Sequence, residues 1–420
     1  MKLAVIGGGS TYTPELVDGL ARLRGRLDVD ELALLDPDEH RLEVVGGLAG
    51  RILRRHGHPG RVRATTNVDE AVDGAAAVLF QLRVGGQAAR RVDETLPLEF
   101  GCVGQETVGA GGLAKALRTV PVVRALAERV RRRAPDAWLV NFTNRVGIVT
   151  RALLDDGHRA VGLCNVAIGV QRHAAGLLGV APERVTLDHV GLNHLTWVRA
   201  VLVDGADRLP ALLDADGEEL ADGAALPLDL LRRQRMVPSY YLHYYYLHDA
   251  VVARQRGAPT RADEVAELER GLLELYADPA LDTKPALLER RGGAYYSEVA
   301  VQLVAALLRD TGEVQVVNVR NRGTLGFLPD DAVVEVPARV GAGGAAPLPA
   351  APLPPAQAGL VAHMTAYETL ALDAARQGGV ERVADALLAH PLVGQADLAA
   401  RLADRLVAAN RRHLPWAVPA

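Results

Sequence analysis

Apolar runs of four to seven residues punctuate the first 165 positions, and each stops at a polar or glycine cluster before a helical stretch begins. Leu3–Ile6 stops at Gly7-Gly8-Gly9, and Glu31–Leu35 stops at Asp36. Ala76–Leu82 stops at Arg83, Gly85 and Gly86; Ala137–Val140 stops at Asn141, Thr143 and Asn144; Ala160–Leu163 stops at Cys164-Asn165. Short apolar runs alternating with longer helical ones predict a parallel sheet with right-handed crossovers. Each polar cluster then lies at a strand's carboxyl end, where open α/β sheets bind ligands.

From about residue 185 the pattern changes. Val185–Ala200 reads as strand, turn and strand, and Ala225–Arg256, Ala262–Tyr276 and Ser297–Arg309 carry helical spacing. Val314–Asn318 and Ala332–Val336 read as late strands. Gly341–Gln357, rich in Ala, Pro and Gly, reads as an exposed connection, and Leu360–His413 is again helical. The predicted chain is α/β. Residues 1–165 form a Rossmann-like doubly wound parallel sheet, and residues 166–420 form a helix-rich α+β domain.

Composition narrows the possibilities. The 420 residues carry a net charge of −4, and half are apolar, as in an ordinary soluble enzyme of two or three domains. The 47 Lys and Arg residues are outweighed by 51 Asp and Glu, so no nucleic-acid surface is expected. No apolar stretch approaches the roughly 18 residues of a membrane span, and no leader-like segment precedes the first strand. Two cysteines are too few for a disulfide framework, which points to a reducing cytoplasm.

The opening MKLAVIGGGSTYTP combines a strand, a glycine turn and Thr13-Pro14, which has the form of a helix N-cap followed by proline. Glycines allow close backbone approach to a pyrophosphate, and a helix N-terminus offers unpaired N–H groups. The third glycine of G-x-G-x-x-G falls on Tyr12, so an ordinary strand–turn–helix also fits. Asp36, 29 residues after Gly7, suits the ribose hydroxyls of NAD or a helix cap. Asn141, Thr143 and Asn144 offer donors and acceptors to sugar hydroxyls or to their own loop.

Cys164 and His194 could hold a divalent ion completed by substrate or water, or be a buried cysteine and a satisfied histidine. Tyr241, Tyr244, Tyr245 and His248 would share one helix face, as a packing stripe or as the source of a phenolic base. Arg83, Arg90, Arg91, Arg261, Arg290 and Arg291 would suit an anionic substrate.

Specific strings extend from end to end: IGGGSTYTPELV, RVGGQAARRVDE, GQETVGAGG, NFTN with GIVT, GLCN, GLNHL, the YLHYYY run, RGGAYYS, NVRNRGTLGFLPDD and ALLAHPLV. Together they resemble glycosidase family four, the NAD- and metal-dependent 6-phospho-glycosidases, whose fold is lactate/malate dehydrogenase-like. The resemblance implies that Cys164 and His194 are metal ligands for Mn²⁺ and that Tyr241 is the catalytic base. It places Gly7, Gly8, Gly9, Ser10, Thr11, Asp36 and Asn144 at NAD, and Arg90, Asn144, Asn165 and Arg261 at the sugar. Asn165 after the cysteine is similar to the β-glucosidase branch, where α-specific members carry Asp. Arg145-Val146 departs from the family's Pro-Ala, and Ala167 from its proline; no catalytic acid is assigned.

Unlike glycosidases with two carboxylates, this family is implied to work by transient oxidation at C3 with NAD⁺, C2 proton abstraction, elimination and water addition. The implied substrate is a 6-phospho-β-glucoside, and the implied assembly a homodimer or homotetramer. A hydroxy-acid dehydrogenase on the same fold would leave Cys164 and the tyrosines without a task. A non-catalytic NAD-binding protein would leave Cys164, His194 and Tyr241 without one.

Overall fold

Runs that are apolar on both faces need cover on both sides, which parallel strands between helical layers provide. A computed structural model of the chain describes residues 1–293 and 295–417. β1 (Lys2–Ile6), β2 (Glu31–Leu35), β3 (Arg61–Thr65), β4 (Ala77–Phe80), β5 (Trp138–Asn141) and β6 (Ala160–Gly162) run parallel in the spatial order β6-β5-β4-β1-β2-β3. The order reverses between β1 and β4, which opens a ligand crevice beyond their carboxyl ends. The five expected strands fall within two residues of their predicted ends. β3 was not expected: RVRAT carries no apolar run, and this edge strand is held by backbone pairing to β2.

β7 (Val185–Leu192) and β8 (Leu195–Val203) form the expected hairpin, joined by Asn193-His194. With β9 (Ala206–Asp207) and β10 (Val237–Pro238) they make a second sheet. β11 (Glu313–Arg320), β12 (Val333–Gly341) and β13 (Gly344–Pro347) return to the first sheet as antiparallel strands, bringing it to nine. β11 pairs with β6 at Asn318 and Gly162, so this sheet crosses the expected boundary at residue 165. β13 lies inside the segment expected to be an exposed connection. Its backbone pairs with β12 whatever its side chains, and Gly344 lets it pack beside Trp138.

The expected helix Ala225–Arg256 is instead broken. A helix over Leu228–Gln234 gives way to β10, a 3₁₀ turn over Tyr240–Leu242, a short helix over His243–Tyr246 and another over His248–Gln255. Pro238 cannot continue a helix, and Ser239 restarts the chain by accepting a hydrogen bond from the Tyr241 N–H at 3.4 Å. Tyr241, Tyr244, Tyr245 and His248 therefore do not share one regular helix face. The other helices form near their expected bounds: Arg261–Ala277, Tyr296–Arg309, and Pro355–Gln377, Val380–Leu388 and Ala396–Asn410 within the last stretch. Among the described residues no helix is long and apolar enough to cross a membrane.

Candidate active site

The glycine turn leaves β1 in a path only glycine allows. Gly7 has φ +89°, and a Cβ on it would come within 2.8 Å of the Gln81 carbonyl oxygen. Cβ atoms on Gly8 and Gly9 would meet Leu34 Cβ at 2.7 Å and Asp36 Cγ at 2.8 Å. The N–H groups of Gly7 and Gly8 both donate to the Leu35 carbonyl, at 2.9 and 2.8 Å, pinning the turn onto the end of β2. Helix Thr13–Arg22 starts at Thr13 itself with Tyr12 in the cap position. Thr13 is thus not the N-cap; its hydroxyl donates to the Gly8 carbonyl at 2.8 Å.

Asp36 accepts from the Gly9 N–H at 3.2 Å and the Asp38 N–H at 3.1 Å, and burial raises its pKa. The next helix is capped by Asp38, whose carboxylate takes the Arg41 N–H at 3.0 Å. The helix-cap reading therefore belongs to Asp38, and Asp36 faces the crevice.

One cavity of about 930 Å³ runs from Gly7, Ser10 and Asp36 to Asn144, Asn165, His194 and Tyr241. Arg83, Arg90, Lys115, Arg261 and Arg291 also border it. Gly8, Gly9, Thr11 and Cys164 lie behind its wall. Thr11 is buried, its carbonyl accepting from the Tyr276 hydroxyl and its hydroxyl from Arg291 Nε, both at 2.7 Å. Cys164 is buried and free, beside Asn193 and Tyr296, and burial pushes its thiol pKa up.

His194 occupies the second position of the β7–β8 turn with φ +64°, a conformation rare for a residue with a side chain. The turn sends its imidazole inward, where burial pushes its pKa down to about 3. The Tyr241 ring stacks on it with centroids 3.6 Å apart and planes inclined by 6°. Burial pushes the Tyr241 phenol up, so the phenolate needs a cation close by. Tyr244 flanks the Tyr241 ring, centroids 6.3 Å apart, without stacking on it, and Tyr245 points elsewhere. Tyr244 packs in an apolar cluster with Val251 and Val252, and the Tyr245 hydroxyl lies 3.6 Å from Met364 Sδ.

Buried Glu106 anchors the cationic wall, paired with Arg83, with Lys115 at 2.7 Å and with Arg90 at 3.3 Å. Burial opposes its charge, but these three cations hold its pKa well below the ordinary range. Arg90 also reaches Glu94 at 2.7 Å, and burial pushes Lys115 down to about 8. Glu106 and Lys115 escaped the residue-level reading, although the GQETVGAGG string and one of only three lysines in the chain were available signals. Tyr296 and Glu269 also border the cavity and went unnoticed. Of the expected arginines, Arg91 is exposed and pairs with Asp263 at 3.3 Å, and Arg290 is exposed, its carbonyl accepting from Arg261 at 2.9 Å.

The residues present fit both expected groups. The glycine turn and Asp36 suit a dinucleotide, and the cavity is long enough to reach from them to the Tyr241 ring. Cys164 and His194 supply one sulfur and one neutral imidazole. Among the described residues no cluster of three or more His, Cys, Asp or Glu gathers there, so remaining positions on an ion would fall to substrate or water. Asn144 Oδ1 is buried at the cavity without a hydrogen-bond partner among the described residues, an acceptor suited to a ligand hydroxyl.

Residues 2–180 match the family 4 glycosyl hydrolase model, and residues 189–393 match the family 4 glycosyl hydrolase C-terminal domain. A probable 6-phospho-beta-glucosidase from Bacillus subtilis is 38% identical over 432 residues, covering 99% of this chain and 97% of the relative. The 6-phospho-beta glucosidase from Thermotoga maritima, solved with manganese, NAD⁺ and glucose-6-phosphate, superposes with a TM-score of 0.92 at 34% identity. That match covers 98% of this chain and 99% of the other. Malate dehydrogenase from Salinibacter ruber shares the fold alone, with a TM-score of 0.57 at 17% identity over 90% of this chain and 99% of its own. With both family models matched on a dehydrogenase-like sheet, the chain belongs to glycosyl hydrolase family 4.

Proposed function

We propose that this chain hydrolyses 6-phospho-β-glucosides using bound NAD⁺ and a divalent metal, Mn²⁺. The observation that carries the reading is the Tyr241 ring stacked on His194 in the same cavity as Gly7 and Asp36. It joins a proton acceptor, a metal ligand and a dinucleotide crevice in one space. The relatives named above support the substrate class and both cofactors.

When bound, NAD⁺ supplies a hydride acceptor and the metal a Lewis acid. Tyr241 takes the proton from sugar C2, and its ring is held for this by the stack on His194. Cys164 and His194 bind the metal. Gly7, Gly8, Gly9, Ser10 and Thr11 form the pyrophosphate turn, and Asp36 accepts from the ribose. Asn144 contacts the cofactor and, with Arg90 and Asn165, orients the sugar hydroxyls. Arg261 and the cations around Glu106 favour the anionic 6-phosphate, since bordering Arg and Lys outnumber the carboxylates. Residues 1–165 thus carry the cofactor, and residues 166–420 carry the base and His194. Asn165 after Cys164 favours the β-anomer. Two buried free cysteines suit a reducing cytoplasm.

The test is cleavage of a nitrophenyl 6-phospho-β-glucoside with and without NAD⁺ and Mn²⁺. Activity is expected only with both, with no stoichiometric NADH and with solvent deuterium at C2 of the product. Equal activity after chelation and without NAD⁺, or retention of the C2 hydrogen, would refute the reading. Stoichiometric NADH would instead indicate a dehydrogenase.

A further inference from the structure

We infer that Thr107 is a positioning residue: its hydroxyl holds His194 as the Nδ1–H tautomer, leaving the Nε2 lone pair for the metal. The inference rests on the metal-dependent reading above. A chain of hydrogen bonds, its direction set at the far end by Gln105, leads to the imidazole.

Gln105 Oε1 accepts from the backbone N–H groups of Thr107 and Val108, the latter at 3.1 Å. Two backbone donors converge on that atom, so it must be the amide oxygen rather than the nitrogen. The Thr107 hydroxyl lies 2.8 Å from the same oxygen and can only donate to it. With its proton committed there, Thr107 Oγ1 meets His194 Nδ1 at 3.2 Å as an acceptor. A neutral imidazole has one N–H, so Nδ1 carries it and Nε2 is bare. Second partners of this kind orient a metal-binding histidine and set which nitrogen binds.

Thr107 is held against drift on its other sides. Arg145 Nη1 donates to the Thr107 carbonyl at 2.7 Å, and Arg145 Nη2 pairs with Glu368 at 2.8 Å. A Cβ on Gly112 would lie 2.8 Å from the Thr107 carbonyl carbon, so the helix Gly109–Arg133 presses close beneath it. Thr107 is buried and does not border the cavity, while His194, also buried, meets the cavity on its other side. The arginine at position 145, where the resembled family carries proline, thus grips the residue that orients the imidazole.

The experiment measures Mn²⁺ affinity by electron paramagnetic resonance of free Mn²⁺, with NAD⁺ affinity as a control for folding. Thr107→Val keeps the shape and removes the acceptor; it is expected to weaken Mn²⁺ binding about 10- to 100-fold with NAD⁺ affinity unchanged. Thr107→Ser, which restores the hydroxyl, is expected to stay within about threefold of the unsubstituted protein. Unchanged Mn²⁺ affinity in Thr107→Val, or an equal loss in Thr107→Ser, overturns the role. Long-range ¹H–¹⁵N correlation on the unsubstituted, metal-free protein needs no variant, and an Nε2–H signal for His194 also overturns it. An unsubstituted protein that binds no Mn²⁺ overturns the metal-dependent reading as well, which separates the two failures.

Discussion

At the residue scale, the site depends on contacts that single side chains make across the fold. Tyr241 and His194 stack at 3.6 Å, and removing only the phenol oxygen leaves that packing in place. Tyr241→Phe is therefore expected to lower kcat by about 10²- to 10⁴-fold, while NAD⁺ affinity, read by fluorescence titration, stays unchanged. Undiminished turnover would move the base elsewhere. A test of the glycine turn is Gly8→Ala, whose Cβ would lie 2.7 Å from Leu34 Cβ at the end of β2. Overpacking there is expected to cost about 1–3 kcal/mol in urea unfolding and to weaken NAD⁺ binding. The need for glycine at positions 7 to 9 was legible in the sequence. Its cause was not, because Gln81, Leu34 and Asp36 reach the turn from other strands.

At the element scale, local patterns succeed where an element makes its own core face and fail where pairing or a break decides. β1, β2, β4, β5 and β6 were readable because their side chains are apolar and buried. β3 and β13 were not, since their backbones are recruited by neighbouring strands rather than by apolar side chains. The stretch Ala225–Arg256 looked like one helix, but Val237-Pro238 pairs with β8 and divides it ahead of the tyrosine run. The start of helix Val146–Asp155 is tied to helix Pro355–Gln377 by Arg145 and Glu368, both almost fully buried. Losing one partner strands a buried charge, so Arg145→Met is expected to destabilise by about 3–5 kcal/mol. The double variant with Glu368→Leu is expected to lose less than the two singles added together. Additive losses in denaturant titrations would show that the pair is not coupled.

At the scale of the whole molecule, distant segments close around the site, and buried His390 is one of the joints. Its Nδ1 faces the Leu392 N–H and its Nε2 the Gly109 N–H, both at 3.1 Å. A neutral imidazole can accept one of these two bonds and an imidazolium neither, and burial holds the pKa of His390 well below its ordinary value. The unfolded chain, with pKa about 6.5, then binds the proton that the folded chain refuses. Stability is therefore complete above pH 6.5 and falls as pH drops, by up to about 1.4 kcal/mol per unit from this group. His390→Gln keeps an acceptor but cannot titrate, so its urea midpoint should fall less steeply between pH 7 and 5; equal slopes would rule out His390 as a source. By itself the sequence determined the alternating strands and helices, the glycine turn and the family, and it offered Cys164, His194 and Tyr241 as candidates. Those follow from local apolar runs and from strings read in order. Only the tertiary structure decided that β11 to β13 complete the first sheet, that Glu106 gathers three cations, and that Thr107 faces His194. These are pairings between segments far apart in the chain, and no local periodicity encodes which polar groups burial will force together.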